Sequence, residues 1–340
     1  MWRVAWGGLR ATALLLLAVC QGCGGGRAGP SEAGGGKRAL TRVALQLNWF
    51  PEAEHGGYYA ALVHGFYEEA GLEVTILRGG PDTPVIPEVA RGRIAFGISN
   101  ADSLLLARAQ EADVVALLAP MQHSPRCIMV HAASGIERLE ELRGVTLAMS
   151  EASAFSHFLR RRLPLKDVQI VPYAGNIARF LEDPRYAQQG YVFSEPYLAR
   201  RAGAVPRALM VSELGFDPYT SVLFARRELV ERQPDLVRRM VRASVRGWDR
   251  YLSAPEETNR YICAQNESME LDVLAYGVEA LRPLVLDAVA RRHGIGTMRL
   301  SRWQELEGQL VEAGQLKPGA ARVQEAFTTR FLPRAAGARR

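Results

Sequence analysis

The stretch LQLNWFPEAEHGGYYAALVHGFYEEAGLEVTI (45–76) begins as a strand, breaks at Pro51 and runs into a helix. Its break gathers Asn48, Trp49, Phe50, Glu52, Glu54 and His55, and Tyr58 and Tyr59 open the helix. A simple connection does not need so many aromatic and ionisable groups. Aromatic faces can stack on a planar ring, carboxylates accept from amine and ring N–H groups, and an Asn amide offers both a donor and an acceptor. Elsewhere no nucleophile-and-base pair, metal-spaced His/Cys set or phosphate loop stands out, so neither a metal nor a cofactor is expected.

Short apolar runs alternate with amphipathic ones. VALQL (43–47), EVTIL (73–77), IAFGI (94–98) and VVALLA (114–119) read as strands, with helices between them. CIMVH, VTLAM, VQIV and GYVF continue the alternation, which argues for open α/β sheets with parallel strands. From Glu228 the chain reads as almost wholly helical, punctuated by Pro255, Pro283 and Pro318. Ligands of open α/β sheets bind beyond the carboxyl ends of strands. Besides the opening segment, four such ends carry polar residues: SNAD with Asn100 and Asp102, PMQHS with Gln122, SEASA with Ser150 and Ser153, and SEP with Glu195. Asn100 and Asp102 read either as helix caps or as ligand contacts, and Gln122 is open in the same way. Ser150, Ser153 and the helix start after them offer donors to a carbonyl or an anion.

The chain has 340 residues, a net charge of +6 and a pI of about 9.3, and only three of its 42 basic residues are lysines (Lys37, Lys166, Lys317). The arginines are mixed with acids along helical stretches, which marks solvated faces rather than a nucleic-acid surface. At the N-terminus, Arg3 and Arg10 flank or precede the apolar ATALLLLAVC, too short to span a bilayer, in the layout of an export signal over residues 1–22. Cys23 follows the small Gly22, as a lipidated cysteine of a bacterial lipoprotein does; Cys20 is the alternative. Residues 23–40 read as a flexible tether, so that a folded domain is held near a membrane face. Residues 333–340 read as a disordered tail. Cys127 and Cys263 are either a pair or two buried thiols.

The opening stretch resembles the start of the NMT1/THI5-like family of ABC-transporter solute-binding proteins. VARGRIAFGISNADSLLLARA, IERLEELRGVTLAM, GYVFSEPYLARRAGA and GFDPYTSVLFARRELVERQPDLVRRMVRASVRGWDRYL are similar to its later blocks, so the resemblance covers roughly residues 41–260. It implies a two-lobed, periplasmic-binding-protein-like (type II) α/β fold with hinge strands and a helical C-terminal region. Lobe one would be 41–130 with 223–332, and lobe two 131–222. It implies a pyrimidine thiamin precursor or related heteroaromatic clamped between the lobes. A flavin-type ring is the second choice, and a sulfonate, nitrate or taurine the third, with Arg126 the nearest arginine for such an anion. Trp49 and Tyr59 match aromatic positions of the motif, with core packing the alternative for Tyr59. His55 matches a motif His and reads as a pocket residue or a helix start. Asn48 reads as a donor and acceptor for a ring edge or as an ordinary turn residue; Glu195 matches the Glu of the family's EP turn, and Tyr219 either stacks or donates at the return hinge or packs in the core. The implied partners are ABC permease subunits and a membrane reached through the lipid anchor, for a monomer in the cell envelope. Relatives that synthesise the thiamin pyrimidine consume the motif His and carry a Cys-rich iron segment. This sequence lacks that segment, so a non-enzymatic receptor is the expectation.

Overall fold

The computed structural model describes residues 39–333. The export segment, Cys20, Cys23, nearly all of the tether and the tail from residue 334 lie outside the described residues. No described helix is long and apolar enough to cross a membrane.

Among the described residues, ten strands form two five-stranded sheets. The first holds β1 (Thr41–Gln46), β2 (Leu72–Leu77), β3 (Phe96–Ser99), β4 (Val114–Leu118) and, after a long excursion, β10 (Val222–Arg226), in the order β2-β1-β3-β10-β4. The second holds β5 (Arg126–His131), β6 (Thr146–Ala148), β7 (Gln169–Val171), β8 (Tyr186–Tyr191) and β9 (Pro206–Met210), in the order β7-β6-β8-β5-β9. In β1 the residues Val43 and Leu45 alternate with less buried ones, the period-two pattern of a strand with one face on a core. β4, apolar throughout, is buried at every position although it ends the sheet. Its outer edge is covered by the C-terminal segment, where Ala116 N donates to Ala326 O and Thr328 N donates to Ala116 O.

The sheets depart from the expected all-parallel arrangement. β1 pairs in parallel with β2 and β3, and β6 with β7 and β8, but β10 runs antiparallel to both its neighbours and so does β5. These are the strands that follow a crossing between sheets, so they enter from the end at which the parallel strands leave. The crossings, residues 119–125 and 211–221, pair through an antiparallel bridge at Met121 and Thr220. The first crossing comes earlier than the boundary at 130 read from the sequence, because the whole of β5 hydrogen-bonds within the second sheet. Two further strands differ from the reading. Of GYVF only Gly190 and Tyr191 are strand; they end YAQQGY, whose buried Gln188 and Gln189 hide its beginning from a search for apolar runs. β9 is a half-buried edge strand that the sequence reading passed over. Pro283 does not break its helix but lies inside Leu271–Val285, two residues from the end.

The long helix Pro234–Ser253 buries Leu236, Val237, Met240, Val241, Ser244, Trp248 and Tyr251 on one face, the spacing of an amphipathic helix. It packs against Gly56–Val63, the helix that follows the ionisable cluster. The two meet at glycines. A Cβ on Gly56 would overlap the Tyr251 ring, one on Gly57 the Trp248 ring, and one on Gly247 the carbonyl of Gly57. This close crossing fixes where the segment 48–55 stands over the first sheet.

Candidate ligand-binding cleft

A cavity of about 210 Å³ opens between the two sheets. Asn48, Trp49, Glu52, Glu54 and Asn100 line it from the first lobe. Arg126, Ser150, Ser153, Phe155, Tyr173, Gln189, Gly190, Tyr191 and Glu195 line it from the second. Asn48 follows β1, Asn100 follows β3, Ser150 follows β6 and Tyr173 follows β7, each within two residues of the strand end. Arg126 opens the antiparallel β5, so its first residue arrives at the same end as the parallel strands' last.

On the first-lobe wall, the fully buried His55 stands behind the cavity rather than in it. Its Nε2 lies 3.0 Å from Asn48 Oδ1 and 3.0 Å from Glu54 Oε1, and Asn48 Nδ2 donates to the same Glu54 oxygen at 3.4 Å. Both neighbours of Nε2 are acceptors, so the tautomer that suits the site carries its proton there. His55 thus holds the two polar side chains that do face the cavity. Ser221, in the left-handed region at φ 55°, ties this wall to the return crossing. Its Oγ donates to Glu54 O at 2.9 Å, its N donates to Asn100 Oδ1 at 3.2 Å, and its carbonyl accepts from Tyr58 Oη at 2.8 Å. Glu52 is 7% exposed. Its carboxyl makes no hydrogen bond among the described residues, and burial first, then the charges of Glu54 and Glu195, push its pKa well above the usual carboxylate range.

On the opposite wall Glu195 begins the helix Glu195–Arg201. Its Oε1 accepts from Tyr173 Oη at 2.8 Å and its Oε2 from Tyr191 N at 2.7 Å. Burial raises its pKa, and these donors pull in the other direction. Gly190 leaves room for it, since a Cβ there would come within 3.1 Å of the Glu195 side chain. The Arg126 guanidinium lies 4.6 Å from the Phe155 ring centre and 4.4 Å from that of Tyr191. The Tyr191 hydroxyl accepts from Arg126 Nη2 at 3.0 Å and from Asn100 Nδ2 at 3.2 Å, which links the two lobes across the cleft. Ser150 N donates to Gln189 Oε1 at 2.6 Å, and the hydroxyls of Ser153 and Ser156 both turn back to Ser150 O at 2.7 Å.

Of the residues singled out in the sequence, Asn48, Trp49, Asn100, Ser150, Ser153 and Glu195 come together at the cavity. Five do not. His55 lies behind it, as above. Tyr59 is buried where its helix meets Tyr261, at 5.7 Å between ring centres. Asp102 does not line the cavity, and its buried Oδ1 has no partner among the described residues. Gln122 is locked in the first crossing, donating to Ala119 O and Thr297 O. Tyr219 is buried against Trp303, under Arg302, with its hydroxyl accepting from Arg299 N. Asn100 holds the N-cap position of its helix without a side-chain cap. Cys127 and Cys263 are free thiols. Phe155, Tyr173, Gln189 and Tyr191 were missed. Tyr173 was open to the strand-end rule, as it follows VQIV; Gln189 and Tyr191 belong to the strand that polar residues concealed.

A second set of contacts bridges the lobes on the outer surface. Tyr197 Oη donates to Asp272 at 3.0 Å, Arg201 pairs with Asp272 at 3.1 Å and with Glu270, and Tyr197 stacks on Tyr276 at 4.6 Å. These residues join the helix that begins with Glu195 to Leu271–Val285, which packs in the first-lobe core. Arg201→Ala is expected to loosen this clasp and weaken ligand binding by at most about fivefold, because exposed ion pairs are individually weak. A faster ligand off-rate with an unchanged on-rate in stopped-flow fluorescence is the expected signature.

Two mixed sheets, two crossings and a cavity walled by both lobes define a two-lobed binding-protein fold of the periplasmic type. The aliphatic sulphonate binding protein SsuA of Escherichia coli has this fold, superposing with a TM-score of 0.65 at 17% identity over 86% of this chain and 92% of that one. Residues 52–258 match the NMT1/THI5-like family, and the chain belongs to it. Among curated relatives, the riboflavin-binding protein RibY of Chloroflexus aurantiacus is 24% identical over 307 residues, covering 86% of this chain and 87% of that protein. A formylaminopyrimidine-binding protein of Halalkalibacterium halodurans is 21% identical, covering 86% and 89%.

Proposed function

We propose that the protein is the exported solute receptor of an ABC importer and that it clamps a substituted aminopyrimidine, of the thiamin-precursor type, between its lobes. The observation that carries this reading is the size and lining of the cavity. A space of about 150 Å³ holds one benzene-sized ring. The cavity of about 210 Å³ therefore suits one substituted six-membered ring rather than a three-ring flavin with its side chain. Trp49, Tyr173 and Tyr191 offer aromatic surface. Glu195 and Glu54 offer acceptors to amine and ring N–H groups. A flavin, the ligand in the name of one relative, is the second reading and requires a wider opening of the lobes. Three carboxyl groups against one arginine weigh against an anion such as a sulfonate.

The receptor binds reversibly and without turnover, delivers to permease subunits, works as a monomer and does not bind nucleic acid. A lipid on Cys23 anchors it to the cell envelope. The mature chain in its native host is therefore expected to begin at Cys23 and to carry a thioether lipid by mass analysis. An unmodified chain beginning elsewhere and released into the medium would contradict the anchor. The function is tested by native mass spectrometry of ligand retained through purification: an aminopyrimidine supports the reading, and a flavin or a sulfonate overturns it.

A further inference from the structure

We propose that Glu52 meets its ligand as a neutral carboxylic acid, its O–H donating to a ring nitrogen while its carbonyl oxygen accepts from the adjacent exocyclic amine. This deepens the aminopyrimidine reading and rests on it. The geometry that points to it is an inequality among three carboxyl groups around one small cavity. Glu195 has both oxygens engaged by donors, Tyr173 Oη and Tyr191 N. Glu54 has one oxygen engaged by His55 and Asn48. Glu52, nine-tenths buried and lining the same cavity, has no hydrogen-bond partner among the described residues. Three anions cannot share a space this small and poorly solvated, and the proton goes to the group with the fewest donors to stabilise its charge.

The rest of the surroundings agree. Behind Glu52 lie the apolar side chains of Ala53, Phe193, Met269 and Leu274. The titratable groups that face it are Glu54, Glu195, Tyr173 and Tyr251, and burial pushes both tyrosine hydroxyls upward, so they stay neutral and no cation is among the four. Arg126, the cation of the cleft, is sandwiched by Phe155 and Tyr191 and acts on Glu195 and Asp102. A carboxylate at Glu52 would turn lone pairs toward the lone pair of a ring nitrogen. The neutral acid instead matches an amino-azine edge with two parallel hydrogen bonds and moves no proton.

The sign of the pH dependence follows. Below the raised pKa of Glu52 the acid is already protonated and binding takes up nothing at this residue. Above it each binding event takes up one proton, and affinity falls tenfold per pH unit. In the free protein the same group makes folding stability fall as pH rises from the ordinary carboxylate pKa to the raised one, because the folded state holds the proton longer.

The test is calorimetric titration of the full mature chain with 4-amino-2-methylpyrimidine between pH 7.5 and 10, where the ring nitrogen of the free ligand carries no proton, in two buffers of different ionisation heat. The wild type should lose affinity on the alkaline side with uptake of about one proton. Glu52→Gln, whose carboxamide presents N–H and C=O at every pH, should bind with wild-type affinity at the acid end and lose both the slope and the uptake. Glu52→Leu should lose at least tenfold everywhere. Affinity that rises with pH, or Glu52→Gln binding tenfold worse at the acid end, would mean that the ligand wants the anion and overturns the proposal. Unchanged affinity in Glu52→Leu overturns it too, while leaving the aminopyrimidine reading intact. If the wild type binds no aminopyrimidine at any pH, both fall together. Should either variant fold poorly, the wild type alone decides: affinity that rises with pH, or a proton released on binding, refutes the inference.

Discussion

Trp49→Ala is expected to weaken aminopyrimidine binding by about 30- to 150-fold, or about 2–3 kcal/mol. Trp49 lines the cavity at the end of β1, and Phe50 meets it edge-on, with ring centres 5.4 Å apart and planes at 69°. Such an arrangement steadies the indole and leaves its face free for a ligand ring. Losing about 60 Å² of apolar contact costs about 1.5 kcal/mol at 25 cal/mol per Å², and the stack adds about 0.5–1.5 kcal/mol. Trp49→Phe should recover most of the loss. Because the side chain is only half-buried, ligand-free stability should change little. Calorimetry and denaturant unfolding on the same samples separate the two effects. Unchanged affinity in Trp49→Ala would move the stacking platform to the tyrosines of the other lobe.

Gly57→Ala is expected to destabilise the protein by about 3 kcal/mol. The added methyl would overlap the indole of Trp248, a fully buried ring also packed edge-on by Tyr58 and Tyr251. The indole has nowhere to go, so the helix Gly56–Val63 must lift off Pro234–Ser253. The segment 48–55 is continuous with that helix, and ligand affinity should fall along with stability. Gly308→Ala is the matched control. Gly308 is exposed on the helix Leu300–Glu312 with open space where a Cβ would stand, so alanine should stabilise by about 0.5–1 kcal/mol. The denaturation midpoints of the two variants should therefore move in opposite directions.

Much of the cleft was legible because it obeys one topological rule: polar residues just past the ends of strands meet at the crevice. That rule reaches Asn48, Asn100, Ser150 and, across the turn after β8, Glu195. It fails where a strand does not look like one. β8 carries Gln188 and Gln189 in place of apolar residues, and with it Gln189 and Tyr191 were lost. It also cannot say which way a side chain turns once the element is placed. Tyr59, Tyr219 and Gln122 have the chemistry of ligand contacts, but each is claimed by the protein itself, by Tyr261, by Trp303 and Arg302, and by the carbonyls of Ala119 and Thr297. His55 sits between these cases. It is one turn from the cavity, yet its role is to hold Asn48 and Glu54 in place. The antiparallel course of β5 and β10 was hidden for a related reason: strand direction depends on where the chain re-enters a sheet, which no local run of residues records.

The central claim is that the cleft takes a single heteroaromatic ring with amine and ring-nitrogen groups. Titrating the mature wild-type protein in parallel with an aminopyrimidine, riboflavin and an alkanesulfonate, with product analysis after each, tests it most directly. Saturable binding of the aminopyrimidine at one site is expected, with that compound recovered unchanged, weaker binding of riboflavin and none of the sulfonate. Saturable binding of the sulfonate with no heat from the aminopyrimidine would contradict it.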